Sequence, residues 1–250
     1  MKTRQLSSYL DELLNIEKVK DKSLNGLVVD REGEVNKVGL AVDACLDAFK
    51  KANDVGVDFL FVHHGIWWGE PVPLRGCILN KIKFLLEKNI ALYVAHLPLD
   101  VHPEFGNNVQ LAKLLGWSIR GDFGRYGEMF LGKEVIFEPP LKLERITKDL
   151  REKLGLDPIV WKFGSEEVRR LGYVCGGGIE LLPQAIEENL DAYLTGEPKH
   201  SYYWMAREEK INVIFVGHYI SETFGVKAIG KHLKDKFGLK TEFFHLPTGY

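Results

Sequence analysis

A chain of 250 residues, 45% of them hydrophobic, is long enough to bury one large or two modest cores. Its 33 basic and 35 acidic side chains leave a formal charge of -2 without a basic run, which gives a sequence-blind electrostatic grip on nucleic acid no support; no uncharged apolar stretch approaches the roughly 20 residues of a membrane span. Cys45, Cys77 and Cys175 are too few and too scattered for a disulfide framework or a thiolate zinc site, and no apolar leader opens the chain, so a cytoplasmic protein without a membrane partner is expected. Leu6, Leu10, Leu13 and Leu14 mark one face of an opening helix, after which short apolar runs alternate with helical periodicity. In chain order, strands are predicted at Val38 to Val42, Phe59 to Val62, Ala91 to Ala95, Leu171 to Cys175, Ala192 to Leu194, Val213 to Val216 and Glu242 to His245. Helices are predicted between them at Ala44 to Asn53, Ile78 to Lys88, Leu181 to Asn189 and Ser221 to Phe237. This alternation predicts largely parallel sheets covered by helices.

The chain also resembles itself. A displacement of 133 residues sets Val35 on Val168, Lys37 on Arg170, Gly39 on Gly172, Ala52 on Ala185 and Asp58 on Asp191 without a gap, and one of 122 sets Val94, His96 and Asp100 on Val216, His218 and Glu222. The expected fold is therefore α/β, with two similar lobes from an internal duplication and a metal site between them. Residues 1–122 are expected to form the first lobe and 123–250 the second, with the polar, glycine-rich stretch Gly121 to Gly127 as the seam.

Candidate ligands stand at the carboxyl ends of the predicted strands, where open α/β sheets bind ligands. His63 and His64 directly follow Phe59 to Val62. His96 and His218 each precede a carboxylate, Asp100 or Glu222, by four residues, a spacing that sets both side chains on one face of a helical turn. Imidazoles and carboxylates without thiolate suit two borderline divalent ions such as Zn, Mn, Fe or Ni, not Ca. On the residues alone, His96 also reads as a satisfied core residue or as a group that orients a ligand, and Asp100 and Glu222 as carboxylates favoured by a helix N-terminus. Glu197, with Lys199 and His200, occupies the second half's counterpart of the His63 position and is a candidate acid or base. Gly176-Gly177-Gly178 reads as a phosphate cradle or as a tight turn. Trp67 and Trp68 read as a stacking surface for a flat ligand or as a wall or subunit contact.

Phe61-Val62-His63-His64, Ala95-His96-Leu97-Pro98-Leu99-Asp100, Gly217-His218-Tyr219-Ile220-Ser221-Glu222, Ser23-Leu24-Asn25-Gly26-Leu27 and Leu194-Thr195-Gly196-Glu197-Pro198-Lys199-His200 together resemble the Nif-three-like dinuclear metal-centre family, many of whose members are named GTP cyclohydrolase 1 type 2 homologues. The resemblance spans essentially the full length. It implies a two-lobed α/β fold, a dinuclear site between the lobes and toroidal homohexamers. It also implies that His63, His64, Asp100, His218 and Glu222 are the metal ligands, Glu222 bridging. The chain departs from the family in Gly65, where proline commonly follows the histidine pair, and in Leu97-Pro98, where Thr-Asn commonly precedes the aspartate.

Two functions of different class follow. One is a metal-dependent hydrolase of the GTP cyclohydrolase 1 type 2 kind acting on a purine nucleotide, with two divalent ions as cofactors and His96 or Glu197 shuttling protons. The other is a ring-shaped hexameric scaffold or regulator that binds nucleic acid or protein, its metals structural. Net charge gives nucleic-acid binding no support. Exposed aromatics such as Trp67, Trp68, Tyr202, Tyr203 and Trp204 are candidate subunit contacts.

Overall fold

Leu6, Leu10 and Leu14, the stripe expected of the opening helix, are buried along and just beyond helix α1 (Thr3–Leu13). The computed structural model describes residues 1–70 and 72–250. After α1 come strands β1 (Gly26–Val29) and β2 (Lys37–Asp43), helix α2 (Leu46–Asp54), β3 (Phe59–His64), α3 (Gly76–Glu87), β4 (Ala91–Val94) and the short α4 (Leu97–Asp100). The chain continues through α5 (Asn107–Leu115), β5 (Ile119–Tyr126), β6 (Met129–Lys142), α6 (Leu143–Leu154), β7 (Ile159–Trp161), β8 (Glu167–Tyr173), α7 (Leu182–Glu187), β9 (Ala192–Thr195), α8 (Tyr203–Glu208), β10 (Asn212–Phe215) and the short α9 (His218–Ser221). It closes with α10 (Thr223–Phe237) and β11 (Lys240–Phe243). No helix among the described residues is long and apolar enough to cross a membrane.

These elements form two units: residues Met1–Phe105 with Gly225–Leu246, and Gly106–Phe224 with Pro247–Tyr250. The bounds differ from the expected 1–122 and 123–250. The stretch Gly121 to Gly127, expected as a seam, falls up to Tyr126 in strand β5, which is hydrogen-bonded to β6 in an antiparallel pair. The C-terminal helix and strand return to the first unit, because β11 pairs in parallel with β2, Lys240 opposite Lys37 through Phe243 opposite Leu40.

In the first unit the strand order is β1-β4-β3-β2-β11, all parallel except the edge strand β1. Alternation along β3 fills both faces of this sheet. Phe59 and Phe61 pack with Leu6 and Leu10 of α1 and Ile229 of α10, whereas Leu60 and Val62 pack with Ala48 and Phe49 of α2 and Leu85 of α3. The second unit has the order β5-β6-β8-β9-β10-β7, in which β8, β9 and β10 are parallel and β7 is an antiparallel edge on β10. Here Ala192 and Leu194 share a core with Leu143, Ile146 and Leu150 of α6, and Tyr193 packs on the opposite face with Leu182 and Ala185 of α7.

The duplication is thus visible as topology: α1-β1-β2-α2-β3-α3-β4 in the first unit and α6-β7-β8-α7-β9-α8-β10 in the second. It extends to single hydrogen bonds. Asp58 Oδ2 accepts the backbone N–H groups of Asn36 and Lys37 at 2.8 and 3.0 Å, and Asp191 Oδ2 accepts those of Arg169 and Arg170, each at 2.8 Å. Both aspartates also donate their own N–H to the strand they clasp, Asp58 to Lys37 O and Asp191 to Arg170 O, each at 3.0 Å. Each clasp satisfies two successive backbone amides, at the start of β2 and within β8, so Asp58→Ala and Asp191→Ala are each expected to lower stability by about 2 kcal/mol. Asparagine at either position should retain most of it, since its amide oxygen accepts the same two bonds. Urea unfolding of the four variants checks both expectations.

Candidate metal centre

Strand β3 carries buried apolar residues to its carboxyl end and finishes on His63, which is fully buried, and His64, which is partly exposed. The His63 ring nitrogen Nδ1 lies 2.9 Å from the Ala95 carbonyl oxygen. A carbonyl can only accept, so Nδ1 is the donor of this contact. His64 is set the same way by Asp43, whose Oδ1 lies 2.9 Å from His64 Nδ1; the two residues are register partners at the ends of β2 and β3. His96 caps α4, and its Nδ1 lies 2.9 and 3.1 Å from the two oxygens of Asp21. One nitrogen from each of His63, His64 and His96 lies within 4.8 Å of the others, a spacing open to cation binding by imidazoles. Asp100, in the last position of α4, brings Oδ2 to 3.5 Å from His63 Nε2.

Asp21 is itself a built feature. Burial pushes its carboxyl up, but the hydrogen bond and charge of His96, with hydrogen bonds from Asn25 and Ser23, outweigh burial and hold it at about 2. It also accepts the Leu97 N–H at 3.0 Å, so one carboxylate fixes both the His96 ring and the start of α4.

In the second unit the expected spacing of four produces a contact: His218 Nε2 lies 3.1 Å from Glu222 Oε2. His218 Nδ1 lies 3.3 Å from Glu197 Oε2, so this histidine too has its Nδ1 directed at a carboxylate. Glu222 is nearly fully buried, and Ser221 Oγ accepts the Gly176 N–H at 2.9 Å. Two amides of the glycine run are already engaged within the chain. Gly176 and Gly178 donate their amides to Ser221 Oγ and Thr195 Oγ1, and what the run provides is room. Gly176 has φ of +71°, and a Cβ there would lie 1.8 Å from Glu222 Oε1 and 3.4 Å from His218 Nε2.

The donor set therefore fits divalent ions: imidazoles oriented through Nδ1 with carboxylates beside them. The sequence-predicted residues follow strand ends: His63 and His64 end β3, His96 and Asp100 cap and close α4 after β4, Glu197 lies in the loop after β9, and His218 and Glu222 open and cap α9 after β10. His63, His64 and His96 are brought together with Asp100 beside His63, and His218 with Glu222 and Glu197. The residues missed are Asp21 and Asp43. Asp43 was open to discovery, because a carboxylate ending the strand next to β3 falls in register with His64. Asp21 lies between α1 and β1 in an irregular segment whose period announces nothing.

The profile of the Duf34/NIF3 (NGG1p interacting factor 3) family matches residues 1–248. A Pyrococcus abyssi protein named GTP cyclohydrolase 1 type 2 homolog is 44% identical over 250 residues, all of both chains. A Deinococcus radiodurans protein of the same name is 34% identical over 245 residues, 98% of this chain and 93% of its own. Among solved structures, one from Thermus thermophilus is similar over the whole of both chains, with 41% identity and a TM-score of 0.91. Reduced HcgD from Methanocaldococcus jannaschii is similar over 98% of each chain, with 28% identity and a TM-score of 0.87. With motifs, topology and full-length similarity in agreement, the chain belongs to the Duf34/NIF3 family.

Proposed function

We propose that the chain is a metal-dependent hydrolase of a purine nucleotide, holding two divalent ions with His63, His64, Asp100, His218 and Glu222. The observation that carries this reading is the common setting of the four imidazoles: His63, His64, His96 and His218 each direct Nδ1 at an oxygen acceptor, and two of them turn Nε2 toward a carboxylate, His63 to Asp100 at 3.5 Å and His218 to Glu222 at 3.1 Å. Imidazole and carboxylate donors select Zn, Mn, Fe or Ni. When bound, such ions lower the pKa of water and neutralise phosphate charge. His96, anchored on Asp21 through Nδ1, exchanges a proton at Nε2, and Glu197 exchanges one at the carboxylate beside His218. The naming of relatives as GTP cyclohydrolase 1 type 2 homologs makes GTP the first substrate to try. The chain works as an oligomer above the dimer, a hexamer in the family's pattern.

Elemental analysis of purified protein should return about two ions per chain, light scattering a mass above that of two chains, and chromatography of GTP incubated with Zn-, Mn- or Fe-loaded protein a ring-opened or pterin product with formate. Absence of turnover of any purine nucleotide with all of these metals would overturn the hydrolase reading. One ion or none after reconstitution would overturn the dinuclear one.

A further inference from the structure

Trp68 is 45% exposed although it is among the largest apolar side chains in the molecule. Its ring centre lies 4.8 Å from that of His96, edge to face at 78°, and 5.9 Å from that of His64. The backbone around it is pinned. Trp68 bridges Ser23 antiparallel, the Leu24 N–H donates to Trp67 O at 3.2 Å, and the Gly69 N–H donates to Lys22 O at 2.6 Å. The same short segment fixes His96, since Asp21 accepts from its ring and Asn25 Oδ1 accepts its backbone N–H at 2.8 Å. One stretch of chain therefore holds the indole and the His96 imidazole as parts of a single surface.

An indole left half in water beside imidazoles is a surface for a planar π system with polar edges, because every heteroaromatic base has a face to stack and a rim to hydrogen-bond. A phosphate chain gains nothing from it. Building on the nucleotide reading above, we infer that Trp68 stacks on the heteroaromatic base of the substrate, so that the ring, not the phosphate chain, is the part held against His64 and His96.

The test uses the full-length, metal-loaded protein with two probes, guanosine and inorganic tripolyphosphate, and calorimetric titration. Trp68→Ala should weaken guanosine binding roughly 10- to 100-fold, Trp68→Phe should retain most of it, and neither should change the affinity for tripolyphosphate. Metal content should equal that of the wild type in both variants. Unchanged guanosine binding in Trp68→Ala, or a parallel loss for tripolyphosphate, would overturn the inference. So would metal loss in Trp68→Ala, which would assign the indole to packing the histidines. GTP turnover by Trp68→Ala at the wild-type KM would overturn the stacking role and leave the hydrolase reading standing. A wild-type protein that binds guanosine through Trp68 but hydrolyses no nucleotide would do the reverse.

Discussion

Gly176→Ala should strip metal from the protein while leaving it folded. Two terms add at this position. The backbone has φ of +71°, which costs an alanine about 1–2 kcal/mol, and the new methyl would sit 1.8 Å from Glu222 Oε1, so the carboxylate must leave its place. Glu222 is nearly buried and stands 3.1 Å from His218 Nε2, which leaves little room for a compensating rotamer. A double-mutant cycle in metal-free protein separates the terms. Against a Glu222→Ala background the steric term vanishes and only the backbone term should remain, so Gly176→Ala should destabilise that background by clearly less than it destabilises the wild type. Equal costs in both backgrounds, together with an unchanged ion count in the single variant, would refute the steric account.

On the proposed dinuclear reading, the second large effect separates ligands from proton carriers. His63→Ala and Asp100→Ala should lose metal and hydrolysis together. Glu197→Gln and His96→Asn should keep both ions and lower kcat by about 10²- to 10⁴-fold, the range of general acid–base catalysis. The choice of substitution follows the geometry. A glutamine oxygen can still accept from His218 Nδ1, and an asparagine amide can still donate to Asp21 in place of His96 Nδ1, so each replacement preserves the neighbour's setting while removing the titratable atom. Elemental analysis paired with initial rates reads the result. Metal loss in Glu197→Gln would make that residue a support of His218 instead of a proton carrier.

Much of this was legible in the sequence because it rests on period and spacing. The parallel strands announced themselves as apolar runs, and the offset of 133 that aligns Asp58 with Asp191 returns as two matching backbone clasps. The His-to-carboxylate spacing of four became a direct contact at His218 and Glu222. At His96 it did not: that ring turns to Asp21, and Asp100 stands beside His63 instead. What stayed hidden depends on long-range pairing. Strand β6 contains Pro139 and Pro140, which read as a break, and the ladder to β8 is indeed interrupted between Ile136 and Leu141 before it resumes. Strand β7, Ile159–Trp161, is too short to show a period, and its place on β10 is set by the partner. The division of the chain was hidden for the same reason, since nothing local in β11 names β2 as its neighbour.

That last pairing has a consequence for synthesis. The first unit cannot finish its sheet until Phe243 has been made, because β11 closes the β2 edge and α10 supplies Val226, Ile229 and Leu233 to the core around Leu40. The elements of the second unit, from α5 through α9, are all translated in the interval. At about 5–20 residues per second the ribosome needs on the order of ten seconds to travel from Phe105 to Phe243. Throughout that time the nascent first unit presents an unpaired β2 edge, the kind of surface on which strands of other chains add. In a cell, the half-translated chain is therefore the species in which the β2 edge is open, and in the completed molecule β11 covers that edge.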